Sequence, residues 1–165
     1  MGAACFVASL VILIVGLGGT LIGLVRMHSQ SPASRWFARV AGIVGLLVCA
    51  AFTGVALTPE NRVMALHVHF TFLAFRIFPA ATLLLALASR ADTRFPRRMM
   101  IGWMLLSAAL IVYVGTLEWG PSLSTPRGLM TAVIAQKIIA VIAILILLYQ
   151  SREADRLSKG ITPAR

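Results

Sequence analysis

The stretch Met64–Ala88, MALHVHFTFLAFRIFPAATLLLALA, decides the fold class of this chain. It is apolar and long enough to cross a bilayer as one α-helix, for which about 20 residues suffice. Yet it also contains two histidines, a proline and Arg76. A centred arginine costs at least about 2.5–3.5 kcal/mol on membrane-insertion scales. The polar residues of this span are therefore candidate functional residues.

The composition of the whole chain points to a membrane protein. Hydrophobic residues make up 59% of the 165 residues and charged residues only 12%, whereas soluble domains carry about 25% charged residues. The formal charge of +10 would suggest nucleic acid in a soluble protein. Here the charges lie between apolar blocks, and no basic face is interleaved with aromatic residues, so we expect no nucleic-acid partner.

Four further runs resemble this stretch in length and character. Because lipid offers the backbone no hydrogen-bond partners, each run is predicted to be helical. The predicted fold is an all-α, polytopic transmembrane helical bundle of five spans within residues 1–150, followed by a short basic cytoplasmic tail, residues 151–165. The predicted spans are Ala3–Val25, Val40–Leu57, Met64–Ala88, Met99–Leu117 and Leu129–Leu148. Thr58–Pro59 and Thr125–Pro126 are typical helix starts, with threonine as N-cap and proline as first helical residue.

Small residues predict where the spans pack. In lipid the hydrophobic effect does not drive helices together, so they associate where small residues allow their backbones to approach closely. The first span has the pair Gly19 and Gly23. The second span has Ala41, Gly45, Cys49 and Thr53 at four-residue spacing, and a second stripe, broken by Leu46, of Ala38, Gly42, Ala50 and Gly54. We expect these residues to form contacts within the bundle. Homo-oligomerisation through the same glycines is the alternative.

The basic residues predict the orientation in the membrane. Eleven of the 15 lysines and arginines fall on one side of the predicted spans, and only Arg62 and Arg127 fall on the other. Basic loops stay in the cytoplasm, so we expect the cytoplasmic membrane, an outer N-terminus and an inner C-terminus. The inner basic residues favour anionic lipid head groups at the cytoplasmic face. They are Arg26, Arg35, Arg39, Arg90, Arg94, Arg97, Arg98, Arg152, Arg156, Lys159 and Arg165.

Two cations remain inside the spans. Arg76 lies about 18 Å below Met64, and Lys137 about 12 Å below Leu129, at 1.5 Å rise per residue. Three interpretations stay open: both reach outward to water, carbonyls or Glu118; Lys137 is deprotonated and neutral; or both line an outward-facing cavity that accepts an anionic or lipid ligand. The candidate lining is His67, His69, Thr71, Arg76, Tyr113, Thr116, Glu118, Gln136 and Lys137.

The histidine pair predicts no metal site and no cofactor. His67 and His69 are two residues apart, so their side chains diverge by about 200° on a helix, whereas helical zinc pairs are spaced i, i+4. A zinc-dependent intramembrane hydrolase that uses one of these histidines with Glu60 or Glu118 stays open as an alternative. The cysteines, Cys5 and Cys49, lie in apolar runs and are predicted to be packing residues.

The segment Gly54–Phe75, GVALTPENRVMALHVHFTFLAF, resembles the multi-pass membrane family of domains of unknown function numbered 998. The likeness is carried by Gly54 at a helix end, Pro59–Glu60 in a short turn, His67 in the next helix, and the pair Gln136–Lys137 in the last. A more distant likeness is to the DRAM-type membrane proteins. The family usually has six spans, so the resemblance implies that the first is missing here. It implies an integral membrane protein without established chemistry.

These features lead to one functional hypothesis and two alternatives. The leading hypothesis is a binding or transport-like module, not evidently an enzyme, whose outward-facing polar pocket surrounds His69, Arg76 and Lys137. The first alternative is a structural or assembly subunit whose polar residues meet the helix of a membrane-protein partner. The second is the zinc-dependent hydrolase.

Overall fold

The structure consists of five long α-helices. The computed structural model describes residues 2–28, 31–58 and 60–160, without the side chains of residues 2–6, 60 and 61, and no strand occurs among them. All five helices are long and apolar enough to cross a membrane, which confirms the prediction of an all-α, multi-pass membrane protein. They are α1 (Gly2–Met27), α2 (Pro32–Leu57), α3 (Glu60–Ala91), α4 (Arg97–Trp119) and α5 (Pro126–Ser158).

Side-chain caps start two of the helices. The Thr125 hydroxyl accepts a hydrogen bond from the Gly128 N–H at 3.1 Å, and Pro126 follows as first residue of α5, which confirms that predicted start. Ser31 caps α2 in the same way by accepting from the Ser34 N–H at 3.0 Å. Thr58 differs from its predicted role as the N-cap of α3.

The Thr58 hydroxyl instead donates to the Gly54 carbonyl at 2.7 Å, at the C-terminal end of α2. The predicted helix start at Pro59 lies outside the described residues. Within α3, the backbone leaves helical angles at Val63 (φ −140°, ψ 53°). The α3 backbone remains helical through Pro79, where a proline kink would be expected. Ser107 of α4 donates a hydrogen bond to the Pro79 carbonyl at 3.0 Å.

Each helix packs mainly on its neighbours in the chain, and α1 also touches α5. The buried core runs between α2, α3 and α4, with Phe52, Phe75, Trp103 and Leu106 among its large side chains. Large apolar side chains on the outer faces of α1 and α5 are exposed. That exposure is expected of a chain whose solvent is lipid, since apolar surface there carries no cost.

The glycines of α2, rather than those of α1, allow close helix contacts. A Cβ atom added at Gly42 would lie 2.9 Å from Val25 Cγ2 of α1, and one at Gly54 would lie 2.5 Å from the Phe70 ring of α3. At Gly19 and Gly23 a Cβ atom would meet nothing within 4 Å. The expected contact of these two α1 glycines within the bundle is therefore wrong, because they face outward.

Antiparallel succession of the helices collects the basic loops at one end. We call residues 26–28, 31–39, 90–98 and 150–160 the basic end. Contacts across it include Ser31 Oγ with the Ala91 carbonyl at 2.9 Å and Arg98 with Glu153 at 2.7 Å. The loop Gly120–Thr125 between α4 and α5 and the end of α2 lie at the other, opposite end. The opposite end contains a cavity, and the basic end contains a cluster of buried polar residues.

Candidate functional site

A cavity of about 450 Å³ lies between α3, α4 and α5 at the opposite end. Its walls are mainly apolar, and five polar side chains interrupt them. Of the predicted site residues, the cavity brings together His67, Thr71, Tyr113 and Gln136. His69, Arg76, Thr116, Glu118 and Lys137 are not in its lining. The full lining is Met64, His67, Val68, Thr71, Phe72, Tyr113, Leu117, Leu123, Ser124, Leu129, Ala132, Val133 and Gln136.

His67 is held in a defined orientation at the cavity wall. Its Nδ1 lies 2.7 Å from the Thr58 carbonyl, and because a carbonyl only accepts, Nδ1 carries the proton. One turn later the Thr71 hydroxyl donates to the His67 carbonyl at 2.8 Å. His69 is exposed and packs edge-on against the Phe70 ring at 6.0 Å. The two histidines therefore diverge, as their spacing predicts.

Tyr113 is a nearly buried polar residue of the cavity lining. The residue is only 4% exposed, and its ring packs edge-on against Phe75 with centroids 4.7 Å apart. Its hydroxyl makes no hydrogen bond with the residues that the structure describes. Polar groups of residues with so little exposure usually have a hydrogen-bond partner, so this hydroxyl is suited to bind a polar atom of a ligand or a water molecule.

Arg76 is partnered by a carboxylate rather than by a ligand. Its Nε donates to Glu118 Oε1 at 2.7 Å, and its guanidinium carbon lies 5.4 Å from the centroid of the Phe72 ring. Helical side chains lean toward the N-terminus of their own helix. The Arg76 side chain thus leans toward the opposite end, where Glu118 lies in the last turn of α4. Of the three interpretations, the outward-reaching one fits Arg76.

Lys137 has no such partner in the described part of the chain. Its side chain is exposed on α5, and within the described part of the chain it forms no hydrogen bond or ion pair. Its exposed neighbours on α5 include Ile134, Ile138 and Val141, which are lipid-facing side chains. Lys137 therefore belongs to the outer surface of the bundle and not to the cavity.

The structure gives no support to a zinc centre. Among the side chains described, no three histidine, cysteine, aspartate or glutamate residues lie close enough together to hold a metal ion. The Glu60 side chain, one of the glutamates in the hydrolase alternative, lies outside the described residues. Cys49 is a buried free thiol, in agreement with a packing role, and the Cys5 side chain is not among those described.

The basic end contains a buried polar cluster that sequence reasoning missed. We call His28, Ser34, Ser89, Asp92 and Arg94 the inner polar cluster. All but Arg94 are at most 4% exposed. The cluster joins the end of α1, the start of α2 and the end of α3.

Hydrogen bonds connect these three segments. His28 Nδ1 donates to the Leu24 carbonyl at 2.7 Å, and Ser34 Oγ donates to the Ala88 carbonyl of α3 at 3.1 Å. The His28 ring also stacks on Phe95, with centroids 4.0 Å apart. A signal in the sequence was available: Asp92 is the one acidic residue in the basic loop Arg90–Arg98.

Asp92 and Arg94 form the charged part of the inner polar cluster. Arg94 donates to the Asp92 carboxylate from Nη2 at 2.8 Å and from Nε at 3.1 Å, and its Nη2 also donates to the Met27 carbonyl at 2.6 Å. Burial alone would raise the pKa of Asp92, but the hydrogen bonds and charge of Arg94 hold that pKa below its ordinary value. Burial lowers the pKa of His28, so this imidazole is neutral near pH 7.

The inner polar cluster does not have the geometry of a catalytic triad. Ser89 Oγ lies 3.5 Å from His28 Nε2, the outer limit for a hydrogen bond. The His28 Nδ1–H, which the acid of a triad would accept, goes to the backbone of Leu24 instead. The Asp92 carboxylate accepts hydrogen bonds from the Arg94 side chain. The cluster therefore serves to hold three helix ends together.

Residues 151–158 of the predicted tail continue α5 and pack on α4. Glu153 is 2% exposed and accepts from Arg98 of α4 at 2.7 Å and from Arg156 at 2.9 Å. Gln150 donates to the Met99 carbonyl at 2.8 Å. The helix extends to Ser158 and ends before Gly160, whose φ of 68° suits a glycine after a helix terminus.

In comparisons with known proteins, no family model matches the chain, and no curated protein or solved structure is significantly similar to it. The resemblance to the family numbered 998 therefore stays a prediction. The site must be interpreted from its own geometry.

Proposed function

We propose that this membrane protein binds a small lipid-like molecule in the cavity between α3, α4 and α5. The observation that carries the proposal is Tyr113, a residue only 4% exposed that lines a mainly apolar cavity and whose hydroxyl lacks a hydrogen-bond partner among the described residues. A volume of about 450 Å³ falls in the usual range for small-molecule sites, about 300–1,000 Å³.

The lining favours a ligand with an uncharged polar group and an apolar body. Arg76 is paired with Glu118 and Lys137 is outside the lining, so neither supplies a cation for an anionic head group. The Gln136 amide, the Tyr113 hydroxyl and the Ser124 hydroxyl provide neutral donors and acceptors. Aliphatic residues and Phe72 provide apolar contact area for an acyl or isoprenoid chain.

Photoaffinity labelling tests this proposal. The probe is a monoacylglycerol that carries a diazirine in its acyl chain, added to the purified full-length protein in mild detergent. We expect label on peptides of α3, α4 and α5, and about two- to twelvefold weaker probe binding in Tyr113→Phe, which corresponds to one lost hydrogen bond of about 0.5–1.5 kcal/mol. Tyr149→Phe is the matched control, because Tyr149 is the other tyrosine of the chain and does not line the cavity.

Label spread evenly over all five helices, or equal labelling of Tyr113→Phe and Tyr149→Phe, would contradict the proposed ligand site. That result would favour the second candidate function, an assembly subunit. The observation behind this candidate is Lys137, an exposed cation in an apolar helix that has no partner among the residues the structure describes. An intramembrane cation of this kind pairs with a carboxylate or a carbonyl when it has a partner, so a partner helix would be expected to carry an acid at that level.

We further infer that the protein lies in the cytoplasmic membrane with its basic end inside and the ligand cavity facing outward. The support is the positive-inside rule, together with the collection of the basic loops at one end of the bundle. Maleimide that does not cross membranes should label Pro121→Cys on intact cells and leave Lys159→Cys unlabelled. Both positions are exposed, and wild type gives the background from Cys5 and Cys49. The reverse labelling pattern would overturn the orientation.

A further inference from the structure

A second cavity, of about 550 Å³, lies between α3 and α4 at the basic end. It is separate from the proposed ligand cavity, which lies at the other end of the same helices. Its lining combines basic side chains with an apolar wall. The residues that carry the argument are Leu83, Leu87, Arg90, Arg97, Met100 and Met104.

The arginines near this cavity divide into two pairs. Arg94 is bound to Asp92, and Arg98 to Glu153. Arg90 and Arg97, the two in the lining, are exposed and form no ion pair or hydrogen bond with any residue that the structure describes. Asp92 is also among the lining residues, but Arg94 neutralises its carboxylate. The cavity thus presents two uncompensated positive charges, which are complementary to an anion.

The apolar residues of the lining indicate that the anion carries an apolar chain. On α3, Leu87 and Leu83 lie one and two turns from Arg90, and on α4, Met100 and Met104 lie one and two turns from Arg97. Each stripe therefore runs about 10 Å along its helix from the arginine toward the middle of the bundle, at 1.5 Å rise per residue. These apolar stripes would add nothing to the binding of a free anion, whereas they provide apolar contact area for an acyl chain.

We propose that this cavity is a specific site for one anionic phospholipid, with its head group on Arg90 and Arg97 and an acyl chain along the two apolar stripes. Methionine side chains adapt to irregular apolar surfaces, which suits a flexible chain. The α4 N-terminus adds to the attraction, since its cap residue, Pro96, offers no side-chain hydrogen bond to the first helical N–H groups, and such groups favour anions.

Native mass spectrometry of the full-length protein tests the site. The protein is released from nanodiscs that contain phosphatidylglycerol in phosphatidylcholine, and bound lipids are counted. We expect the variant Arg90→Gln/Arg97→Gln to lose one phosphatidylglycerol per chain. Its binding should weaken about thirtyfold, since each basic residue near an anionic head group contributes a factor of about five. Arg35→Gln/Arg152→Gln removes the same charge from two exposed residues of the basic end outside this lining and should lose none.

Two further arms make the result decisive. Thermal unfolding in pure phosphatidylcholine should be the same for wild type and the Arg90→Gln/Arg97→Gln variant, which shows that the variant folds. Inorganic phosphate should not raise the unfolding temperature as phosphatidylglycerol does. Equal lipid counts in both double variants, or full stabilisation by phosphate alone, would overturn the proposal, the latter because the apolar stripes would then contribute nothing.

Discussion

Asp92→Asn is expected to lower the free energy of unfolding by about 2–3 kcal/mol, the range for a lost buried charge-assisted pair whose arginine keeps some access to solvent. The Asp92 side chain is fully buried, whereas Arg94 is 41% exposed. Asparagine has nearly the same shape as aspartate, so the packing is retained. Its amide nitrogen, however, is a donor and would face the donors of Arg94. Arg94 would then lose the partner that holds it against the Met27 carbonyl.

Asp155→Asn is the matched control for this experiment. Asp155 also pairs with a basic residue, Lys159 at 2.7 Å, but its side chain is 57% exposed. Exposed pairs of this kind contribute about 0–1 kcal/mol. Both variants are unfolded by heat or by increasing denaturing detergent in the same micelles. A loss in Asp92→Asn no greater than in Asp155→Asn would show that the inner polar cluster does not hold the helix ends together.

Acidification is expected to destabilise the fold through His28. Because the pKa of His28 is lowered by burial, the unfolded chain binds a proton more readily than the folded one. The stability is therefore complete above the ordinary histidine pKa of about 6.5. It is lost as the pH falls from there through the folded pKa, with a slope of at most about 1.4 kcal/mol per pH unit. Asp92 opposes this effect and Arg94 reinforces it.

The measurement is the unfolding temperature between pH 8 and pH 5 for wild type, His28→Gln and His69→Gln. His28→Gln should lose most of the pH dependence in this range. His69→Gln should keep it, since His69 is exposed. Asp92 does not confuse the result, because its lowered pKa places its own protonation below about pH 4. A pH dependence that survives in His28→Gln would contradict the assignment to His28.

The positions of the helices follow from local properties of the chain. Hydropathy within a window and the need for internal backbone hydrogen bonds identify all five helices, and Thr125–Pro126 identifies one start. The helices exceed the predicted spans at several ends. Leu57 ends α2 as predicted, but α2 begins at Pro32 rather than Val40, and α5 continues to Ser158 rather than Leu148. Hydropathy identifies the apolar part of each helix, and it does not detect the polar helical turns that extend beyond that part.

The choice of partners depends on how helices rotate and shift against one another, which no local pattern specifies. The sequence leaves the partner of Arg76 open between water, backbone carbonyls and Glu118, and only the packed bundle selects Glu118, 42 residues along the chain. Gly19 and Gly54 look alike in sequence, but only Gly54 has a helix against it.

The inner polar cluster illustrates the same limit. His28 and Ser89 are 61 residues apart and meet because two helix ends converge. Periodicity specifies which side of a helix a residue occupies. The identity of what lies opposite is a property of the packed bundle, because it depends on contacts between residues that are distant in the chain.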